Sequence, residues 1–344
     1  MPGPSVPPLR WFGEADVLAA MPVIEERLRL AEVTMTALAR PGASELPPKI
    51  AIHPRPAASF VHAMPAHLRA TERADGGGDL VGMKWVAGYA TNTALGLPGI
   101  HAVVVLNDPE TGIPVAILDG GPITAQRTAA VSGLALARWG PSSADDTAVA
   151  GAGVDVALIG AGVQGHSHLP VIGHVLPGAR VRLFDRDAKR AGTLAAAART
   201  TPGIADARVF ASAREAVDGA SVVITAASFG PPAARQSMTN AWLRPDATVV
   251  PIDYATYCAA EVARDAALFL VDQRDQYLYN REAGQFDGYP DPDATIGEAI
   301  LAGTARPAGR VVVTHLGVGL ADLVFADAIV REASARGLGV ELAR

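Results

Sequence analysis

A glycine-punctuated turn between an apolar strand and a helical segment constrains the fold of this chain more than any other feature. The stretch VALIGAGVQGHSHL places Gly160, Gly162 and Gly165 in the spacing G-x-G-x-x-G, directly after an apolar run. The first glycine permits a tight turn, the second admits a pyrophosphate to the backbone, and the third lets helix and strand pack closely. Asp185 ends the next apolar run, VRLFD, where a carboxylate would accept from a ribose hydroxyl. The pattern predicts a dinucleotide site.

The apolar runs differ in the two halves of the chain. From Val154 onward, runs such as SVVITA, TVVPI and RVVVTH alternate with helical segments, which predicts a parallel sheet. Between Lys49 and Gly121 the runs are short, and NDPETG is typical of a hairpin turn, which predicts an antiparallel sheet. We therefore predict an α/β protein of two domains. Residues 1–140, completed by a C-terminal helix in 320–344, form an antiparallel α+β domain, and residues 141–319 form a parallel-sheet domain of the Rossmann type.

Composition excludes several classes of function. The 29 Lys and Arg residues against 35 Asp and Glu give a net charge of −6 and are dispersed along the chain, so no basic surface for a nucleic-acid backbone is expected. The single cysteine, Cys258, excludes an internal disulfide and a cysteine-based zinc site. The N-terminal stretch lacks the pattern of a signal peptide, and no apolar run reaches the length of about 18 residues that spans a membrane. We expect a cytoplasmic protein with no membrane or nucleic-acid partner.

Two features of the glycine segment bear on its ligand. A carboxylate at Asp185 would repel a 2′-phosphate, which favours NAD, whereas Arg186 would favour NADP if it paired with that phosphate. His166 and His168 are two residues apart on a predicted helix and do not share a face. No cysteine or carboxylate stands beside them at ligand spacing, so we predict no metal site.

Three charged residues lie at positions where they could bind a ligand or exchange protons. Arg127 falls in the first turn of the predicted helix ITAQRTAAVSGLALARW, where a cation opposes the helix dipole but helps to bind a carboxylate or phosphate. Lys84 lies inside the predicted strand LVGMKWVAGY, and burial there would lower its pKa. Asp253 follows TVVPI at the carboxyl end of a predicted parallel strand, where ligands bind. The structural alternatives are solvated surface charges for Arg127 and Lys84 and a helix N-cap for Asp253.

These pieces together resemble the ornithine cyclodeaminase and mu-crystallin family. The resemblance rests on GMKWVAGYATNTALGLPG, NDPETGIPVAILDGGPITAQRTAA, VALIGAGVQGHSHL, VVPIDYATYCAAEV and HLGVGLADLVFADAIV, in the order of the family. It implies that the antiparallel domain binds substrate and forms a homodimer, and that the Rossmann domain holds a nicotinamide cofactor. Two stretches depart from the family pattern: VTHLGVG carries His315, and SVVITAASFGPP lacks the usual Thr-Ser pair.

The resemblance also implies roles for individual residues. Arg55 and Arg127 resemble the family's carboxylate-binding arginines, Lys84 its active-site lysine and Met64 its pocket methionine, although a plain core methionine is an alternative for Met64. Asp253 resembles the aspartate that acts beside the nicotinamide. The predicted cofactor contacts surround the glycine turn and neighbouring strand ends: Arg127, Thr128, Gly160, Gly162, Val163, Gln164, Gly165, Asp185, Arg186, Thr225, Ala226, Ser228 and Asp253.

The resemblance implies hydride transfer between a nicotinamide and a small carboxylate-bearing amino acid or imine. Hydride transfer requires an anchored carboxylate and a neutral amine, and Lys84 and Asp253 would handle protons. We expect an NAD(P)-dependent amino acid dehydrogenase or imine reductase, with NAD as the first cofactor candidate and NADP as the alternative. An ornithine-type cyclodeaminase and a non-catalytic, mu-crystallin-like ligand-binding protein remain open alternatives.

Overall fold

The chain divides into two compact units. A computed structural model describes residues 6–55, 59–73, 77–141, 153–228 and 232–344. The first unit comprises Met1–Arg127 together with Gly317–Arg344, and the second comprises Thr128–Leu316. Each unit has its own sheet.

The chain begins with short strands and helices of the first unit. Its strands are β1 (Leu9–Phe12), β2 (Ser44–Glu45), β3 (Ile50–Ile52), β4 (Ser59–Leu68), β5 (Leu80–Tyr89), β6 (Ile100–Asn107) and β7 (Pro114–Asp119). Its helices are α1 (Glu14–Ala19), α2 (Ile24–Ala39) and the beginning of α3 (Gly120–Trp139). The predicted hairpin is present, because β6 and β7 pair antiparallel on either side of NDPETG.

The second unit alternates strands with helices. Its strands are β8 (Asp155–Ile159), β9 (Ala179–Phe184), β10 (Ile204–Val209), β11 (Val222–Thr225), β12 (Thr248–Pro251), β13 (Leu268–Val271), β14 (Ala294–Thr295) and β15 (Val311–Thr314). Its helices are α4 (Val163–Val175), α5 (Ala188–Arg199), α6 (Ala213–Val217), α7 (Ala260–Arg264), α8 (Arg274–Glu282) and α9 (Ile296–Leu301). The chain then returns to the first unit with α10 (Gly319–Ala335) and β16 (Val340–Leu342).

The sheet of the second unit is parallel throughout its described strands. Their order is β10-β9-β8-β11-β12-β15-β13-β14, and the paired strands run in the same direction. The chain leaves β8 towards β9 on one side and returns to β11 on the other, and ligands bind at the carboxyl ends of strands where the order reverses in this way. Strands β8, β11, β12 and β15 are almost entirely buried. This explains why their sequences are continuously apolar rather than alternating.

The sheet of the first unit is mostly antiparallel. Its order is β16-β1-β7-β6-β5-β4-β2, with β3 also paired to β4, and only β1 and β7 run parallel among the described strands. On β5 every second residue from Leu80 to Gly88 is buried, and these include Lys84. Helix α10 packs on this face: a Cβ built on Gly82 would meet the Leu323 side chain, and one built on Gly319 would meet the Met64 backbone.

The boundary between the units differs from the predicted position. We expected it at residue 140, whereas it falls between Arg127 and Thr128, inside α3. The reason is that the last turns of α3 pack within the second unit. The indole N–H of Trp139 donates to the carbonyl of Thr304 (2.9 Å), and the Thr248 hydroxyl donates to the carbonyl of Trp139 (2.9 Å). The predicted linker lies largely on residues 142–152, outside the described ranges.

The predicted fold class is confirmed: one unit carries a parallel sheet with alternating helices, and the other carries a largely antiparallel sheet. In the ranges that the structure describes, no helix combines the length and apolar character needed to cross a bilayer.

Candidate functional site

The glycine turn after β8 has the backbone geometry that its sequence predicts. Gly160 has a φ of 111°, and a Cβ there would lie 2.5 Å from the carbonyl oxygen of Ala226. A Cβ on Gly165 would lie 2.3 Å from the carbonyl oxygen of Gly160, so only glycine permits this approach of α4 to the turn. A Cβ on Gly162, by contrast, meets nothing within 4 Å. Gly162 therefore leaves open space where a ligand can approach the backbone.

The first turn of α4 is suited to an anion. Gly162 is the N-cap and provides no side chain to accept from the first N–H groups of the helix, which include those of Val163 and Gln164. Such groups and the helix dipole favour a phosphate. A cavity of about 330 Å³ opens beside the turn, lined by Ala161, His166, Asp187, Lys189, Arg190 and Thr193. The turn therefore fits the pyrophosphate of a dinucleotide.

Asp185, after β9, is held in a fixed position. One carboxylate oxygen accepts from the N–H of Ala161 (2.7 Å), and the other accepts from the N–H of Asp187 (2.8 Å). The carboxylate is thereby oriented towards the glycine turn, next to the ribose position expected for a dinucleotide. The side chain of Arg186 is not seen to bond to it within the described residues.

Asp253 is a buried carboxyl group just beyond the carboxyl end of β12. It is 2% exposed, and within the described residues neither of its side-chain oxygens makes a hydrogen bond of regular geometry. Burial is the dominant effect and raises the pKa of Asp253 to about 6, although the Thr225 hydroxyl and nearby backbone N–H groups act in the opposite direction. A carboxyl group with such a pKa exchanges protons readily near neutral pH.

The backbone behind Asp253 adopts an unusual conformation. Tyr254 and Ala255 have φ angles of 52° and 57°, in the left-handed region that non-glycine residues avoid. The hydroxyl and the N–H of Thr256 both donate to the carbonyl of Asp253, at 2.6 and 3.1 Å, and close the turn. The Tyr254 hydroxyl donates to the carbonyl of Leu316 (3.0 Å), which ties the turn to the segment after β15. The aspartate therefore lies on a constrained corner, the kind of strain that is often found at functional sites.

In the first unit, Lys84 and Arg127 share one buried carboxylate. The Nζ atom of Lys84 lies 2.6 Å from Oδ2 of Asp322, and Nε of Arg127 lies 3.0 Å from Oδ1 of the same group. The exposed fractions are 1% for Lys84, 6% for Arg127 and 0% for Asp322. Burial lowers the pKa of Lys84 to about 7, with Arg127 acting in the same direction and Asp322 opposing it. Neither cation is a solvated surface charge.

Asp322 is not among the site residues predicted from the sequence, although the sequence contains a signal for it. It lies in the first turn of α10, where its neighbours in the sequence are all buried. An acidic residue at such a position is rare unless it is paired. The pairing partners, however, are far away in the chain, and Arg127 is separated from Asp322 by 195 residues.

A second missed feature is a chain of hydrogen bonds through three buried side chains of the second unit. The Nδ1 atom of His168 lies 2.6 Å from the carbonyl of Gln164, and since a carbonyl only accepts, this nitrogen carries the proton. The Nε2 atom of His168 then accepts from the Ser132 hydroxyl (2.8 Å), whose oxygen accepts from Nε2 of His315 (2.9 Å). Burial lowers the pKa of His168 to about 4, so its ring is neutral. His315, the departure from the family pattern, is thereby fixed at the end of β15.

The other predicted residues lie in varied surroundings. Met64 is 4% exposed and stands opposite Lys84 in the register of β4 and β5. Thr128 is buried on α3, and Thr225 is buried at the end of β11. Ser228 is exposed. Arg55 is exposed in the turn before β4, where its backbone N–H donates to the Ser59 hydroxyl (3.1 Å). The structure therefore groups Lys84, Met64 and Arg127, and it does not show Arg55 bonded to them within the described residues.

The family model of the ornithine cyclodeaminase/mu-crystallin family matches residues 14–321, which include the glycine turn, Lys84, Arg127 and Asp253. The chain belongs to this family. The resemblance predicted from the sequence is thus confirmed.

Relatives within the family resemble this chain over most of its length. It is 32% identical over 341 residues to the nodulation efficiency protein NfeD of Rhizobium meliloti, covering 97% of this chain and 98% of that protein. It is 31% identical over 279 residues to the ketimine reductase mu-crystallin of Mus musculus, covering 78% of this chain and 79% of that protein. The Δ1-pyrroline-2-carboxylate reductase of Thermococcus litoralis, solved with NADH and L-proline, shares the fold. Its TM-score is 0.79 at 23% identity, with 97% of this chain and 100% of that chain covered.

Proposed function

We propose that this chain catalyses the reversible, NAD-dependent reduction of the C=N bond of a 2-imino acid, open-chain or cyclic, to the corresponding amino acid. The observation that carries this proposal is the state of Asp253, a buried carboxyl group with a pKa of about 6 at the carboxyl end of β12. Its sheet also carries a glycine turn that fits a dinucleotide. A carboxyl group that exchanges protons at this end of the sheet is suited to protonate or deprotonate the nitrogen of an imine or amine.

The proton balance of the reaction gives Asp253 its task. A bound nicotinamide supplies a hydride to the imine carbon in reduction, or accepts it from the amine-bearing carbon in oxidation. In reduction the π electrons of the C=N bond move onto nitrogen, which must gain a proton. Asp253 in its protonated form delivers that proton, and in oxidation the ionised carboxylate takes it back.

The first unit carries groups suited to bind and orient a carboxylate. Arg127 presents a guanidinium whose Nε is held by Asp322, which fixes the direction of its remaining N–H donors. Lys84 is held by the same carboxylate. When Lys84 is protonated, the two cations carry two positive charges against one negative charge, and the substrate carboxylate would supply the second negative charge. Such fixed orientation lowers the entropic barrier of a hydride transfer.

The choice of NAD over NADP rests on Asp185. Both of its oxygens accept from backbone N–H groups, so the carboxylate is not free to move away from a 2′-phosphate. The repulsion between the two negative charges favours NAD. Lys189 and Arg190, which line the neighbouring cavity, are the groups that would support NADP as the alternative.

Cyclodeamination of a diamino acid is less well supported than imine reduction. It needs a group that holds a side-chain ammonium. The buried carboxylate beside Lys84 is that of Asp322, and Lys84 and Arg127 already bind both of its oxygens. This face disfavours an ornithine-like substrate.

The direct test follows nicotinamide absorbance with NADH or NADPH and a panel of cyclic imines and of 2-oxo acids with ammonia. We expect NADH to be consumed only when an imine is present, and Asp253→Asn to lose this turnover while it still binds NADH. Release of ammonia from ornithine without net NADH change would instead favour a cyclodeaminase. Cofactor binding without turnover of any compound would favour a ligand-binding protein and contradict the proposal.

We further propose that the chain forms a homodimer through the outer face of the first-unit sheet. Ile50, Ile52 and Trp85 are on this face and are 66%, 55% and 44% exposed. The pairing register places Ile50 and Trp85 on either side of Ala63, so the apolar side chains are continuous across three strands. An exposed apolar sheet face of this kind marks an interaction surface.

A further inference from the structure

Thr225 and Asp253 lie at the carboxyl ends of two adjacent strands of the second unit. Thr225 is the last residue of β11 and pairs with Pro251, the last residue of β12. The N–H of Ile252 donates to the carbonyl of Thr225 (2.9 Å), so the pairing continues one residue beyond β12. Asp253 follows directly. The two residues are therefore neighbours in the register of the sheet.

Both side chains point to the same side of this sheet. Val223 and Val249 belong to one apolar cluster, and the residues that follow each of them belong to a second cluster. Ile252 packs against the second cluster as well. Because side chains alternate along a strand, Thr225 shares the side of Val223, and Asp253 shares the side of Val249. The Thr225 hydroxyl and the Asp253 carboxyl group therefore lie on one side.

The polar atoms of both side chains are enclosed. Thr225 is 0% exposed and Asp253 is 2% exposed. Within the described ranges, neither the Thr225 hydroxyl nor either carboxyl oxygen of Asp253 makes a hydrogen bond of regular geometry. Buried oxygens are nearly always hydrogen-bonded, because the loss of water is otherwise uncompensated, and the exceptions include catalytic groups. Three such oxygens on two neighbouring residues indicate a functional arrangement.

The hydroxyl acts on the charge of the carboxyl group. Burial raises the pKa of Asp253, and the Thr225 hydroxyl is the largest of the influences that lower it, ahead of the backbone N–H groups of Ala227, Tyr257 and Thr256. A hydroxyl can donate or accept, because its O–H rotates about the C–O bond, whereas an N–H can only donate. The hydroxyl can therefore follow a change in the protonation of the carboxyl group.

Other titratable groups that respond to the charge of Asp253 are Tyr257, Cys258 and Tyr289. Burial raises the pKa of all three, and it raises that of Cys258 to about 12. These three side chains are therefore uncharged between pH 5 and pH 8. A charge change in this group of residues over that range belongs to Asp253.

We propose that Thr225 is a positioning residue for Asp253: its hydroxyl accepts a hydrogen bond from the protonated carboxyl group and donates one to the carboxylate once the proton has left. This inference rests on the proposed function and assigns a further residue to it. Hydrogen bonds to a charged oxygen are the stronger kind, so the hydroxyl favours release of the proton. The same contact holds the carboxyl group in one orientation in both states.

The first test is the pH profile of Thr225→Val, which loses the hydroxyl but keeps a branched side chain. We expect the midpoint of kcat/KM for imine reduction to move up by about one pH unit, since the carboxylate loses a charge-assisted hydrogen bond. Thr225→Ser, which keeps the hydroxyl, should restore the midpoint. Thr225→Ala provides the same comparison if Thr225→Val does not fold.

A matched control is Thr314→Val at the end of β15, the strand on the other side of β12. Thr314 is 1% exposed, and its hydroxyl donates to the carbonyl of Pro251 (2.7 Å) rather than to a carboxyl group. This variant loses an equally buried hydroxyl and should leave the midpoint unchanged.

The second test does not depend on turnover. Urea unfolding at pH 5 and pH 8 compares the unmodified protein, Thr225→Val, Asp253→Asn and the double variant. Without the hydroxyl the carboxyl group is harder to ionise in the folded protein, so Thr225→Val should lower the folding equilibrium constant about tenfold more at pH 8 than at pH 5. In the Asp253→Asn background its effect should be the same at both pH values.

The outcomes separate this inference from the proposed function. A midpoint that stays in place in Thr225→Val, or that moves equally in Thr314→Val, would overturn the inference and leave imine reduction intact. An effect of Thr225→Val on unfolding that is equal at pH 5 and pH 8 would also overturn it. Absence of turnover with every imine would overturn the proposed function, and the unfolding comparison would then support or overturn the contact between Thr225 and Asp253 by itself.

Discussion

The ammonium group of Lys84 lies 2.6 Å from the Asp322 carboxylate, with both side chains almost completely buried. The same carboxylate binds Arg127, so one acidic group on α10 holds a cation from β5 and another from α3. Removal of a single member of a buried ion cluster leaves unpaired charge in a medium that solvates it poorly. The cluster is therefore both a structural element and the base of the proposed acid-binding site.

Asp322→Asn should destabilise the protein strongly, because it leaves two buried cations without a counter-charge. We expect a loss of about 3 to 5 kcal/mol in the free energy of unfolding. The control is Asp327→Asn on the same helix, whose carboxylate pairs with Arg73 and Arg331 at a partly exposed position. That change should cost about 1 kcal/mol or less. Urea unfolding of both variants measures the difference, and equal losses would contradict the importance of the cluster.

The pH dependence of the reaction should follow Asp253. Since its pKa is raised to about 6, the protonated form that donates in reduction is lost as the pH rises above this value. We expect kcat/KM for imine reduction to fall about tenfold per pH unit above about 6. In the oxidative direction the ionised form is required, so kcat/KM should rise through the same range. The same slope in both directions would exclude Asp253 as the proton-exchanging group.

The same carboxyl group should make folding stability depend on pH. An acid whose pKa is higher in the folded protein than in the unfolded chain is costly to ionise in the folded state. Stability from Asp253 is therefore present below about pH 4 and is lost as the pH rises to about 6. Asp253→Asn removes this cost. At pH 8 its free energy of unfolding should exceed that of the unmodified protein by up to about 3 kcal/mol, so it should unfold at a higher temperature. Thermal unfolding at pH 4 and pH 8 tests the sign, since the two proteins should differ little at pH 4.

Substitutions in the glycine turn should separate binding from folding. A methyl group on Gly162 enters open space, so Gly162→Ala should change stability by no more than about 1 kcal/mol. The methyl would nevertheless occupy the approach of a pyrophosphate, and we expect at least a tenfold weaker affinity for NADH in a fluorescence titration. Gly165→Ala would bring a Cβ to 2.3 Å from the Gly160 carbonyl and should destabilise the unit by about 1 to 3 kcal/mol. If Gly162→Ala bound NADH normally, this turn would not hold the cofactor.

The proposed dimer can be tested at Trp85. Trp85→Glu places a charge on the apolar outer face of β5, which should shift the mass measured by light scattering from that of a dimer to that of a monomer. Tyr279→Glu on α8, where the tyrosine is 60% exposed, is the control and should leave the mass unchanged. A monomeric unmodified protein would contradict the proposal outright.

The features that the sequence predicted well are those determined by neighbouring residues. The glycine turn, the strand before it and the helix after it are contiguous, and the steric demands of Gly160 and Gly165 arise within a few residues. The predicted hairpin between β6 and β7 depends in the same way on a short turn sequence.

What the sequence did not reveal depends on contacts between distant segments. The role of Asp322 depends on its pairing with Lys84 and Arg127, which are both distant from it in the sequence. The position of His315 depends on Ser132, which is 183 residues away. The break between the units inside α3 could not be predicted either, because the helix pattern of ITAQRTAAVSGLALARW is continuous through it.

Two adjacent residues after Asp253, Tyr254 and Ala255, keep side chains in a conformation that a glycine would adopt at lower energy. Each such residue costs on the order of 1 kcal/mol or more. A glycine at position 255 would relieve part of that cost but would also loosen the corner, and the aspartate would then sample more directions. The methyl group of Ala255 thus lowers the stability of the protein but keeps the Asp253 carboxylate within a narrow range of orientations. Replacement of this alanine is therefore a route to a protein that is more stable but turns over more slowly.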